Sequence, residues 1–91
     1  MNINETLEQR QKTHGNFLDH AKTSMTLKGV VAQAIISGNK ELTFSQREAL
    51  DMICHKIARV VSGNPNTHDH WHDIAGYATL VAKELENDAK P

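Results

Sequence analysis

From residue 43 onward the apolar side chains recur with the period of an α-helix, and this recurrence constrains the fold more than any other feature of the chain. Leu50, Ile53, Cys54, Ile57, Val60 and Val61 fall on one face of a helical wheel, while Glu48, Asp51, Met52, His55 and Arg59 fall opposite. Trp71, Ile74, Ala75, Ala78, Ala82 and Leu85 follow at i, i+3, i+4, i+7, i+11 and i+14. Ahead of the first run, Thr43-Phe44-Ser45-Gln46-Arg47-Glu48 holds two overlapping capping boxes, Thr43 with Gln46 and Ser45 with Glu48. Period-two alternation of β-branched residues is missing, and the two prolines, Pro65 and Pro91, interrupt neither run. The expected fold class is all-α, a small bundle of about four helices.

The remaining elements follow from caps and breakers. A first, short helix starts near an Asn2-x-x-Glu5 or Asn4 cap, carries Ile3 and Leu7 on one side and stops at Gly15. Asn16, with Asp19 three residues on, caps a second helix from about Phe17 to Ser37, with Leu27, Val30, Val31, Ala34 and Ile35 as its buried stripe and Gly38-Asn39 as its end. The third stops at Ser62-Gly63, and Asn64-Pro65-Asn66 makes a tight link to a fourth, capped by Asn66 or Thr67 and running from His68 to about Asn87. So short a link implies that the third and fourth helices are antiparallel neighbours. The whole chain, 1–91, reads as one domain, with residues 1–6 and 88–91 expected to fray.

Leu, Ile, Val and Phe fill 22% of the 91 positions, which allows only a thin core. Self-association, most simply as a dimer, is therefore expected. A formal charge of −1 supplies no positive field, so a nucleic-acid polymer or a membrane surface is not an expected partner. Cys54, the single cysteine, excludes an intramolecular disulfide framework and suits an intracellular setting; its place on the apolar stripe makes it a small core residue.

Chemistry concentrates in Thr67-His68-Asp69-His70-Trp71-His72-Asp73. Asp69, His72, Asp73 and Gly76 share a helix face, and two carboxylates four residues apart can grip one hard cation. The segment from Ile74 to Ala82 has no charge, so this face is expected to point into a cleft between helices or between subunits, with Gly76 admitting another backbone or a ligand. Across the link, Lys56 and Arg59 are expected nearest Asp69 and Asp73, with Glu48 and Asp51 farther along. Carboxylates with two cations suit a metal-bridged phosphate: acidic oxygens hold Mg²⁺ or Mn²⁺, and Lys and Arg take phosphate oxygens. The plainer reading is a solvated helix face and an intrahelical Asp51–His55 pair. Of His68, His70 and His72, only His68 and His72 can share a transition metal, because i and i+2 positions diverge. His14 sits at a turn, as a helix end or near the cleft.

Several segments resemble a family of small phage and prophage proteins of unknown function: Arg10-x-x-x-His14-Gly15-Asn16-Phe17, Gln46-Arg47-Glu48-Ala49-Leu50-Asp51-Met52-Ile53-x-x-Lys56-Ile57-Ala58-Arg59, Gly63-Asn64-Pro65 and Asp69-His70-Trp71-x-Asp73-Ile74-Ala75-Gly76-Tyr77-Ala78. That family in turn resembles the MazG-like all-α nucleoside triphosphate pyrophosphohydrolases. The resemblance implies an enzyme or nucleotide-binding module in the cytoplasm of a bacterial host. It assigns catalysis to Asp69, Asp73 and Glu48, Mg²⁺ or Mn²⁺ to these and Asp51, and substrate to Lys56, Arg59, His14 and His55. The second acidic pair here is spaced by four rather than three, and the first is Glu48-x-x-Asp51 rather than two glutamates. Two further expectations stand beside it: a non-enzymatic phage accessory protein that binds a host protein, and a His-rich transition-metal binder.

Overall fold

A computed structural model describes residues 2–88, and four helices account for nearly all of them: α1 (Ile3–His14), α2 (Phe17–Ser37), α3 (Phe44–Ser62) and α4 (His68–Asp88). Three caps act as the sequence implies. The Asn2 side chain accepts from the Glu5 N–H at 2.9 Å, and the Asn16 side chain accepts from the Asp19 N–H at 3.2 Å. Thr43 and Gln46 form a reciprocal box, the Gln46 N–H donating to the Thr43 hydroxyl at 3.1 Å and the Thr43 N–H to the Gln46 side chain at 2.9 Å. The second expected box does not form, because Ser45 donates instead to Glu84 of α4 at 3.0 Å. Residues 3–6 stand in the first turn of α1 and Asp88 in the last turn of α4. Met1 and residues 89–91, also expected to fray, lie outside the described residues.

Helix α3 runs between α2 and α4, and α1 lies across one end against α2 and α3. Small side chains, Ala49, Cys54 and Ala58, are the buried apolar residues of this layer, and they let the neighbouring helices come close. The Lys56–Asp73 and Ser45–Glu84 contacts confirm that α3 and α4 are antiparallel.

The buried faces differ from the expected stripes. In α2 the buried residues are His20 and Ser24, with Leu27, Val31 and Ile35 half-buried and Val30 and Ala34 exposed. In α3, Leu50, Ile53 and Val60 are half-buried, while Ile57 and Val61 are exposed. In α4, His70, Ile74, Tyr77 and Val81 turn inward, and Trp71, Ala75, Ala78, Ala82 and Leu85 turn outward. A segment that is apolar nearly all round gives a wheel no way to choose its inner side, and a hydrogen bond from His70 makes the choice.

That bond belongs to a crossing of backbones. The Thr13 carbonyl accepts from the His70 Nε2–H at 2.9 Å and from the Asn64 N–H at 3.0 Å. The end of α1 thus rests directly on the end of α3. A Cβ at Gly15 would lie 1.9 Å from the Ser62 carbonyl oxygen, and one at Gly63 would lie 2.2 Å from the Thr13 carbonyl oxygen. Gly15 also has φ +77°, where side chains are strained. The link to α4 is held by Asn64, whose side chain accepts from the Asn66 N–H at 2.9 Å and whose carbonyl accepts from the Thr67 N–H at 3.1 Å. Thr67 precedes α4, but its buried hydroxyl has no hydrogen-bond partner, so it does not cap by its side chain.

No helix among the described residues is long and apolar enough to cross a membrane.

Candidate functional site

Where α1, α2 and α3 meet, a cavity of about 490 Å³ opens between Arg10 and His14 of α1, Phe17 and His20 of α2, and Arg59 of α3, floored by Ile3 and Leu7. Arg10 and His14 reach it together because i and i+4 positions share a helix face. Gly15 and Gly63 bring the α1 terminus close enough for Arg59 to face it. The lining contains no carboxylate.

Two of the lining residues each carry a buried polar atom without a protein partner, Nε of Arg59 and Nδ1 of His20. His20 as a whole is only 3% exposed. Leaving such a group unsatisfied costs about 1–3 kcal/mol. Behind the cavity the His20 ring meets the His55 ring edge-on, centroids 4.5 Å apart, and the His14 ring meets His70 likewise at 5.2 Å.

Charge in this region is one-sided. Burial, then Arg59 and Arg10, pushes His14 down to about 4, and burial, then Arg59 and His20, pushes His55 to about 4. His20 is lowered by burial and then by Arg59 and Lys28. Arg59 is itself lowered, by burial and then by Arg10, but a guanidinium stays charged at neutral pH. The cavity therefore presents two fixed cations and neutral imidazoles, an arrangement suited to a phosphate or carboxylate.

The acidic residues are arranged differently. Lys56 reaches Asp73 at 2.8 Å, as the antiparallel pairing implies, and its hydrogen bond holds the Asp73 carboxyl below the usual carboxylate range. Arg59, expected beside the same acids, turns instead to α1. The Asp69 side chain is 87% exposed and approaches His68 at 3.5 Å. Glu48 lines a groove with Tyr77, Leu80 and Glu84, toward the far end of α4, and Asp51 lies half-buried on α3 near Cys54. Among the described residues no group of three or more His, Cys, Asp or Glu could hold a metal ion. The four carboxylates do not converge on one ion within the protomer, so they do not fit a shared Mg²⁺ or Mn²⁺ there. Within the protomer nothing approaches Gly76, since a Cβ there would have nothing within 4 Å.

His68 and His72 stack at 5.5 Å on the surface while His70 points inward, the divergence that their spacing implies. Cys54 is buried, and burial raises its thiol pKa, which keeps it unreactive.

Of the expected substrate residues, the structure places His14 and Arg59 in one cavity, His55 behind it and Lys56 on the α4 side. Sequence reasoning did not single out Arg10 or His20 as ligand-binding groups. The i, i+4 pairing of Arg10 with His14 was the available signal for one; for His20, whose burial depends on α3, there was none.

Neither a curated protein nor a solved structure matches the chain. A family model does match it over residues 2–85, nearly its full length, and the chain accordingly belongs to that family, a domain of unknown function (DUF6378).

Proposed function

We propose that this protein binds a nucleotide, with the phosphates in the cavity between α1, α2 and α3. Arg10 and Arg59 take the phosphate oxygens, and Ile3, Leu7 and Phe17 offer apolar surface to the base or sugar. The observation that carries this reading is a cavity lined by two arginines, Arg10 and Arg59, and by no carboxylate. Phage or prophage origin and a place in the bacterial cytoplasm are the setting that the sequence resemblance implies.

Pyrophosphohydrolysis is the second reading. It is favoured by the Lys56–Asp73 pair, which keeps one carboxylate ionised on the α4 face that the resemblance marks. The acids do not gather on one ion within the protomer. The accessory-protein and transition-metal readings rank behind these two.

Titration of the protein with a panel of nucleoside mono- and triphosphates, on wild type, Arg59→Gln and Asp73→Asn, separates the alternatives. Losing one charge-assisted pair weakens binding about 10- to 100-fold, and this loss is expected in Arg59→Gln alone. Binding that survives Arg59→Gln but not Asp73→Asn would move the site to the α3–α4 side. Pyrophosphate release with Mg²⁺ or Mn²⁺ that disappears in Asp73→Asn would establish the hydrolase.

A further inference from the structure

We infer that α3 and α4 together present a dimerisation face, covered by a second copy of this chain with α4 packed antiparallel on α4 about a two-fold axis near Ala78. The surface area argues that something must cover the protomer. A monomeric chain of this mass is expected to expose about 5,300 Å², whereas this protomer exposes 6728 Å². The excess, about 1,400 Å², exceeds the roughly 800 Å² that each partner buries in a standard interface. Its radius of gyration, 15.6 Å, likewise exceeds the roughly 12 Å of a compact chain of this length. The largest fully buried side chain is a histidine, His70. A layer of helices without a second layer leaves its apolar side in water.

Leu18, Met25, Val30 and Ile36 of α2 are exposed as well, but on α4 the uncovered surface has a regular pattern. Trp71, Ala75, Ala78, Ala82 and Leu85 are all exposed and alternate by four and three residues, the seam spacing of a helix pair. The indole N–H of Trp71 donates to the Pro65 carbonyl at 2.7 Å, so the exposed part of that ring has no polar atom left to satisfy. Beside the seam run Leu50 and Ile53, which share a groove of about 500 Å³ with Ala78 and Val81, and the exposed Ile57 and Val61 continue the apolar stripe of α3.

The order along α4 selects a second copy as the occupant. Large residues stand seven positions to either side of Ala78, and alanines fill the middle. In an antiparallel pair related by a two-fold axis, Trp71 therefore opposes Leu85 of the partner subunit, and the small residues let the helix axes approach at the centre. The segment from Ile74 to Ala82 carries no charge that such contact would strand.

Sedimentation equilibrium of the full chain at micromolar concentration is expected to give twice the 10.2 kDa chain mass. Ala78→Glu, which puts a charge on the axis, is expected to weaken dimerisation roughly 100-fold or more. Should that variant not fold, Ala78→Cys in a Cys54→Ala background provides the independent reading: mild oxidation should give a disulfide-linked dimer, while His72→Cys, on the other flank of α4, should give none. A monomeric wild type overturns the inference, whether or not a host protein then covers the face. Failure of Ala78→Cys to cross-link overturns it equally.

Discussion

Gly63 illustrates what a single residue in this chain decides. Its expected role, ending a helix, needs only local sequence; its second role, letting the Thr13 carbonyl come within reach of Asn64 and His70, is a property of the fold. Gly63→Ala would force two backbones apart and is expected to cost about 1–3 kcal/mol, read as a fall in Tm of several degrees; an unchanged Tm would contradict the crossing. The histidines make a second prediction at this scale. His14 and His55 have folded-state pKa values of about 4, and His20 is lowered too, so the unfolded chain binds protons near pH 6.5 that the folded chain does not. Their contribution is present above pH 6.5 and is lost as pH falls from there toward 4. Thermal melts between pH 7 and 5 should show Tm falling, and a flat profile would contradict the buried, neutral imidazoles.

Among the elements, helix boundaries were the most legible part of the sequence, because caps and glycines act through adjacent residues. Asn2, Asn16, Thr43, Gly15 and Gly63 all lie where local rules place them. The inner face of α4 was not legible, since a His70 hydrogen bond to a carbonyl 57 residues away overrides a wheel of alanines. Antiparallel pairing of α3 with α4 is enough to set Asp73 beside Lys56, whereas the place of Arg59 depends on α1, which it faces across the cavity. Gly76 lies in the middle of α4 with nothing near its missing Cβ. Gly76→Ala should therefore gain roughly 1 kcal/mol in helix propensity, raising Tm by about 4 °C or more, and a loss of stability would mean that another chain or ligand approaches that side. Asp73→Asn should lower Tm only slightly, because the carboxylate is well exposed and its pairing with Lys56 is screened by water. A much larger loss would show that the pair has a structural role beyond its exposure.

At the scale of the whole molecule, the cationic cavity at the α1 end and the apolar seam of α4 are surfaces that the protomer itself does not use. The thin core read from composition foretold the second in kind, though not in place. The first depended on α1, whose few apolar residues gave no sign that it would bring Arg10 opposite Arg59. In the proposed function this cavity holds the phosphates of a nucleotide. Its most direct test is a nitrogen-15 amide-resonance titration of the wild-type protein with a nucleoside triphosphate. Shifts concentrated at Arg10, His14, Gly15, His20 and Arg59 are the expected result; shifts confined to Asp69, Asp73 and Lys56, or none at saturating nucleotide, would contradict it.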